Sequence, residues 1–154
     1  MKLKLTIELV PSTCWFSNVR AVVSKKRWDV LRNQVYSKAY NLCEICGGIG
    51  PKHPVECHEI WHYDDKKLIQ KLVGMTALCP DCHMVKHIGL ARVNNKDELA
   101  IKHLMKVNGL TRAKAEQYVA DAFKVWDNRS TKQWKLDISH LEDYGIDIRK
   151  LKKP

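Results

Sequence analysis

The sequence has no long hydrophobic run, no internal repeat and no low-complexity segment. No stretch approaches the roughly 20 consecutive apolar residues of a membrane-spanning helix, so a membrane protein is not expected. The segment from Met1 to Glu8 places lysines among its apolar residues, which is not typical of a signal peptide. Without an export signal we expect a cytoplasmic protein, whose cysteines stay reduced or bind metal rather than form disulfides.

Acidic residues are scarce relative to basic ones. The chain of 154 residues has 17 Asp and Glu against 27 Lys and Arg, which gives a formal net charge of +10. Such an excess favours a polyanionic partner, because each phosphate that Lys or Arg neutralises releases bound counterions. The charge therefore supports a nucleic-acid partner, double-stranded DNA in the first instance, although many small basic proteins bind no nucleic acid.

Hydrophobic spacing predicts a mixed α and β chain. Residues 3–10 alternate in polarity as a strand does, and Pro11 ends them. Spacing of three to four residues predicts an amphipathic helix over 25–40 and two more helices over 97–107 and 111–126. The remaining predictions are strands over 55–63 and 75–78, an irregular or helical stretch over 68–73, a helix from Pro80 to near Gly89, and a short extended piece over 134–138.

Two Cys-x-x-Cys pairs are the clearest motif in the chain. They comprise Cys43 with Cys46 and Cys79 with Cys82, separated by residues 47–78. Four thiolates directed at one centre provide the tetrahedral sulfur coordination that Zn²⁺ takes in closed structural sites. A redox motif would need only one pair in a βαβ setting, so we predict a structural zinc. A closed site of this kind has no open coordination position and therefore performs no chemistry.

Histidines near the two pairs predict a second metal site. His83 follows Cys82 directly, and His87 comes four residues later, so on a helix the two imidazoles share a face. His58 and Glu59 lie on the strand predicted between the pairs. A third ligand from that strand would complete a water-accessible site for a divalent ion.

The segment from Cys43 to Ala91 resembles an HNH endonuclease of the four-cysteine subtype, which has the ββα-metal fold. The resemblance is carried by three pieces: Cys43-Glu44-Ile45-Cys46-Gly47, Glu56-Cys57-His58-Glu59-Ile60, and the run from Ala77 to His87. The middle asparagine of that family has no counterpart here, since Gly74 stands near its position.

The resemblance implies metal-dependent hydrolysis of a phosphodiester bond in DNA. His58, His83 and His87 would hold a catalytic divalent ion, and His58 or Glu59 would take a proton from the attacking water. Histidine is the better base near neutral pH, whereas glutamate would need a pKa raised by burial. The ion itself is open among Mg²⁺, Mn²⁺, Ni²⁺ and Zn²⁺, because Mg²⁺ prefers oxygen ligands and imidazoles favour the others.

These inferences predict an α+β protein in three parts. Residues 1–42 would form an N-terminal strand and basic helix, residues 43–91 the zinc-bound ββα-metal core, and residues 92–154 a C-terminal helical extension. The helices over 97–107 and 111–126 fit either plain core or a helix-turn-helix reader of DNA. The alternative function for the whole chain is a zinc-ribbon module that binds nucleic acid without catalysis.

Overall fold

The computed structural model describes residues 2–154; Met1, the first residue of the predicted N-terminal part, lies outside the described residues. The fold is α+β, with helices around a three-stranded mixed sheet. The elements are α1 (Val19–Val22), α2 (Lys25–Lys38), β1 (Glu56–Asp64), β2 (Ile69–Leu78), α3 (Pro80–Lys86), α4 (Ile88–Val93), α5 (Asp97–Asn108), α6 (Arg112–Arg129) and β3 (Lys135–Asp137), with short 3₁₀ turns at Ser12–Cys14, Ser139–Tyr144 and Ile148–Lys150.

An antiparallel hairpin of β1 and β2 organises the centre of the molecule. Its register pairs His58 with Thr76 and Cys57 with Ala77. The register shifts between Ile60 and Trp61, and β3 then adds to β2 in parallel. Helix α3 begins directly after β2, with Cys79 between them. The chain therefore has the order of two strands and a helix that the ββα prediction requires.

The hairpin is covered by helices on both faces. Ala77 packs in a cluster with Val35 of α2, whereas the next residue, Leu78, packs with Val85 of α3. Neighbouring residues of a strand point to opposite faces, so α2 and α3 lie on opposite sides of the sheet. Helix α5 packs on α3 and α4, and α6 packs on α5. The helix predicted over 111–126 belongs to this packing, since Tyr118 and Phe123 of α6 contact the same cluster as Val85.

The predicted N-terminal strand over 3–10 is wrong. Within the described residues, that segment bends at Lys4 and Leu5 and pairs with no strand. Its backbone is held by side chains instead: Asn108 accepts from the amides of Lys4 and Leu5 at 2.9 Å, and the Tyr118 hydroxyl accepts from the amide of Ile7 at 2.9 Å. The alternation of apolar residues is real, because Leu5 is fully buried, but it reflects packing on helices rather than pairing in a sheet.

Two other boundaries differ from the sequence predictions. The stretch over 68–73, predicted as irregular or helical, begins the ten-residue strand β2. Helix α3 ends at Lys86 rather than near Gly89, because His87 leaves the helical conformation with φ −109° and ψ 46° before α4 begins. The short extended piece over 134–138 is confirmed as β3.

A single apolar cluster joins distant parts of the chain. It includes Leu5, Leu78, Val85 and Leu104, each of them fully buried, together with Val119. These residues come from the N-terminal segment, the hairpin and α3, and the C-terminal helices. No helix among residues 2–154 is both long enough and apolar enough to cross a bilayer.

Candidate metal centres

The four cysteines of the two pairs converge on one point. Their sulfur atoms all lie within 4.8 Å of one another, and the sulfurs of Cys46 and Cys79 are 3.6 Å apart. A tetrahedral zinc with Zn–S bonds of roughly 2.3 Å holds its sulfurs about 3.8 Å apart, so the observed spacing fits the ion. Cys43, Cys79 and Cys82 are buried, as a closed structural site requires.

Local backbone geometry directs the sulfurs inward. Gly47 has φ +76°, a conformation that side chains other than glycine's rarely adopt, and it closes the turn after Cys46. The amide of Gly48 then donates to the Cys46 sulfur at 3.4 Å. On the second pair, the amide of Cys82 donates to the Cys79 sulfur at 3.4 Å, so Cys79 also caps α3. The Nε2 of His103 on α5 lies 3.2 Å from the Cys82 sulfur.

The thiols are too close to ionise independently. The hydrogen bond between Cys82 and Cys43 lowers the pKa of Cys43 and raises the pKa of Cys82, since one thiol stabilises the thiolate of the other. Burial raises the pKa of Cys79 to about 11. A dication at the centre would offset both the repulsion between thiolates and their burial, so the residues present suit a zinc ion.

Three histidines form a second cluster on the α3 side of the hairpin. His58 comes from β1, His83 from α3 and His87 from the turn between α3 and α4. One ring nitrogen of each lies within 4.8 Å of one ring nitrogen of the others. The ring centroids are 5.3 Å apart for His58 and His83, 5.1 Å for His58 and His87, and 4.8 Å for His83 and His87. The break in the helix at His87 therefore does not prevent the convergence predicted from the spacing.

The environment of two of the three histidines favours the uncharged imidazole. Burial lowers the pKa of His58, and burial together with the neighbouring His83 and His58 lowers the pKa of His87 to about 3. A neutral imidazole offers a nitrogen lone pair, which is the form that binds a metal ion. The donor set of three convergent nitrogens thus fits a divalent transition metal better than Mg²⁺.

Two carboxylates each contact one ring nitrogen of this cluster. The Nε2 of His58 lies 2.6 Å from Oε2 of Glu8, and the Nδ1 of His83 lies 2.6 Å from Oε2 of Glu56. Lys86 donates to the other oxygen of Glu8 at 2.6 Å. Burial alone would raise the pKa of Glu8, but the hydrogen bonds and charges of His58 and Lys86 outweigh it and lower the pKa to about 2.

Glu59 does not join the histidines. It follows His58 on β1 and therefore points to the other face of the sheet, where its Oε1 accepts from the amide of Val19 at 3.0 Å. Burial raises the pKa of Glu59 to about 7, despite the opposing hydrogen bonds from Val19 and Trp61. Of the four residues that the sequence assigns to catalysis, the structure brings together His58, His83 and His87 and separates Glu59 from them.

The cysteine and histidine motifs do not include the residues that surround the two clusters. Glu56 could have been found, because it stands two residues before His58 and so shares its face of β1. Glu8 lies 50 residues from His58 in the chain, and no local motif marks it. His103 and Lys86 are likewise placed by packing of helices rather than by spacing.

Comparisons of the chain with protein-family profiles, with curated proteins and with solved structures return no match. The likeness to HNH endonucleases therefore rests on the motifs and on the geometry of the two clusters.

Proposed function

We propose that the chain is a metal-dependent DNA endonuclease of the HNH type. The observation that carries the proposal is the histidine cluster on a two-strand and helix unit, beside a four-cysteine cluster that fits zinc. A purely structural zinc module has no need of three imidazoles that converge on one point. The net charge of +10 supports a phosphate-containing substrate.

Each residue of the histidine cluster has a defined task in this proposal. His58, His83 and His87 would hold the divalent ion. Its positive charge would stabilise the negative charge of the scissile phosphate and lower the pKa of the attacking water. Glu56 would accept a hydrogen bond from Nδ1 of His83, which would leave Nε2 of that ring as the nitrogen free to bind the ion. Glu59 has no part in the chemistry, because its carboxylate lies on the opposite face of β1. Of the two candidates for the base, only His58 belongs to the site.

The test is nicking of supercoiled plasmid by the zinc-loaded protein with Mg²⁺, Mn²⁺, Ni²⁺ or Zn²⁺ added. We expect nicking with at least one ion, a loss of at least about 100-fold in His83→Ala and His58→Ala, and nearly full activity in Glu59→Gln. Glu59→Gln is the matched control, since it changes the neighbour of His58 without touching the cluster. Absence of nicking with every ion, or nicking unaffected in His83→Ala, would refute the proposal.

The same variants separate the two roles that His58 could take. If His58 is a ligand, His58→Ala weakens Ni²⁺ binding as much as His83→Ala does. If His58 is the base, His58→Ala keeps Ni²⁺ affinity and loses only turnover. Isothermal titration calorimetry with Ni²⁺ on the zinc-loaded variants, without DNA, measures the difference.

A second candidate function is a zinc-dependent module that binds DNA without cutting it. The position of Glu59 favours it, because one of the two candidate bases faces away from the histidines. The presence of Gly74 where the family has asparagine also favours it. DNA binding that survives in His83→Ala, with no nicking by the parent protein under any ion, would identify this function instead.

A further inference from the structure

We propose that Glu8 is a positioning residue of the histidine metal site, presented to it by the N-terminal segment and the C-terminal helices. The inference rests on the proposed function only in that both use the same site, since it concerns metal binding and not cleavage. It assigns a role to a residue that lies outside the HNH-like segment from Cys43 to Ala91.

The contact between Glu8 and His58 determines which ring nitrogen of His58 is available. Because Oε2 of Glu8 accepts a hydrogen bond from Nε2, the proton resides on Nε2 and the lone pair on Nδ1. A histidine that binds a metal commonly donates its other N–H to a carboxylate, which fixes the ring orientation and increases the basicity of the ligand nitrogen. Glu8 stands in that relation to His58, which is 3% exposed and has little room to turn.

Glu8 also connects the two elements that carry the ligands. Its Oε1 accepts from Lys86 Nζ at 2.6 Å, and its amide donates to the Lys86 carbonyl at 3.0 Å. Lys86 is 5% exposed and directly precedes His87. One carboxylate therefore ties His58 on β1 to the end of α3, where the chain turns to place His87.

The N-terminal segment is held on both sides of Glu8. Asn108 at the end of α5 accepts from the amides of Lys4 and Leu5 and donates to the Leu5 carbonyl at 2.8 Å. Tyr118 of α6 accepts from the amide of Ile7. These contacts substitute for sheet pairing in a segment that has none, and they fix the position from which Glu8 reaches His58. The C-terminal helices thus contribute to the metal site without supplying a ligand.

The experiment measures Ni²⁺ affinity of the zinc-loaded chain by calorimetry, in the absence of DNA. We expect Glu8→Ala to bind Ni²⁺ about 10- to 100-fold more weakly, as loss of an outer partner of a ligand histidine typically does. Glu8→Gln retains a hydrogen-bond acceptor for His58 and should lose less. Glu98→Gln is the control, because it removes an exposed carboxylate whose ion pairs are with Lys102 and Arg112 rather than with a histidine of the cluster.

Removal of Glu8 alone leaves Lys86 buried without its partner, which can unfold the protein. The double variant Glu8→Gln with Lys86→Met removes both charges together and keeps the experiment interpretable. We expect it to retain one zinc and a cooperative thermal transition while its Ni²⁺ affinity stays below that of the parent. Parental Ni²⁺ affinity in both Glu8→Ala and the double variant would overturn the inference. Because no DNA is present, failure of the nuclease proposal would leave this result unchanged.

Discussion

At the scale of single residues, the two neighbours His58 and Glu59 have opposite environments. His58 faces α3 and meets Glu8, whereas Glu59 faces the other side of the sheet and meets the amide of Val19. Alternation along a strand makes this separation unavoidable once one of the two is fixed. The sequence could place both residues on a strand, but the choice of face depends on which side α3 packs, and that is a tertiary property.

Burial of Glu59 makes a prediction about stability and pH. Its pKa is about 7 in the folded chain against an ordinary 4.5, so the ionised form costs free energy only when the protein is folded. The titration of Glu59 therefore contributes a loss of stability as pH rises from 4.5 to about 7. Glu59→Gln avoids this cost, and its advantage in free energy of unfolding should grow over that range to a plateau of about 3 kcal/mol.

Urea denaturation of zinc-loaded Glu59→Gln and wild type at pH 5.5 and pH 8 measures this difference. Comparison of the two proteins at the same pH cancels the titration of other groups. Asp137→Asn is a suitable control, because hydrogen bonds to Ser139 lower the pKa of that carboxyl and its loss should not stabilise the chain at pH 8. An advantage for Glu59→Gln that is equal at the two pH values would contradict the assignment.

At the scale of elements, the junction between β2 and α3 carries both metal clusters. Cys79 ends the strand and caps the helix, Cys82 lies in the first turn, and His83 follows it. The four-cysteine cluster therefore lies at the start of the helix that supplies a histidine to the other cluster. Loss of a zinc ion from the four cysteines should loosen this junction and weaken metal binding by the histidines.

Cys79→Ser tests this coupling, because serine retains the ability to cap a helix while the thiolate ligand is lost. We expect the variant to hold less than one zinc per chain. We also expect it to bind Ni²⁺ at the histidines at least about 10-fold more weakly, which is the usual effect of removing a group that positions a metal ligand. Cys14→Ala, which removes a buried cysteine from outside the cluster, should retain one zinc and parental affinity. Elemental analysis with calorimetry gives both quantities. Full Ni²⁺ affinity in zinc-free Cys79→Ser would show that the two sites are independent.

The same scale shows which elements the sequence could predict. The hairpin strand β1 and helix α3 were predicted because cysteines, histidines and Pro80 mark them. The start of β2 is not predicted because Gln70 is polar although it is only 1% exposed. A polar residue at a buried position breaks the pattern of apolar residues that Leu72 continues on the same face of the strand. The alternation of apolar and polar residues over 3–10 predicts a strand because it indicates that one side of the segment is buried. It does not reveal whether the backbone of the segment pairs with another strand or with side chains.

At the scale of the whole molecule, the segment with HNH-like motifs is a unit of sequence but not of packing. Residues 43–91 contribute Leu78, Val85 and Ile88 to a cluster that is completed by Leu5 and Leu104. All five side chains are fully buried in the intact chain. Isolation of the segment would expose one side of this cluster to water, and a core of that size gives little stability on its own.

We therefore predict that a fragment of residues 43–91 does not fold to a single state, even with one equivalent of zinc. Zinc would still bind the four cysteines, because their two turns are local, but the histidines would lack Glu8 and the support of α5. The amide NMR spectrum of the zinc-loaded fragment should be poorly dispersed apart from residues near the cysteines, and Ni²⁺ affinity should fall below that of the intact chain. A well-dispersed spectrum with parental Ni²⁺ affinity would show that the ββα unit is autonomous. It would also show that the N-terminal segment and the C-terminal helices serve some purpose other than to build the metal site.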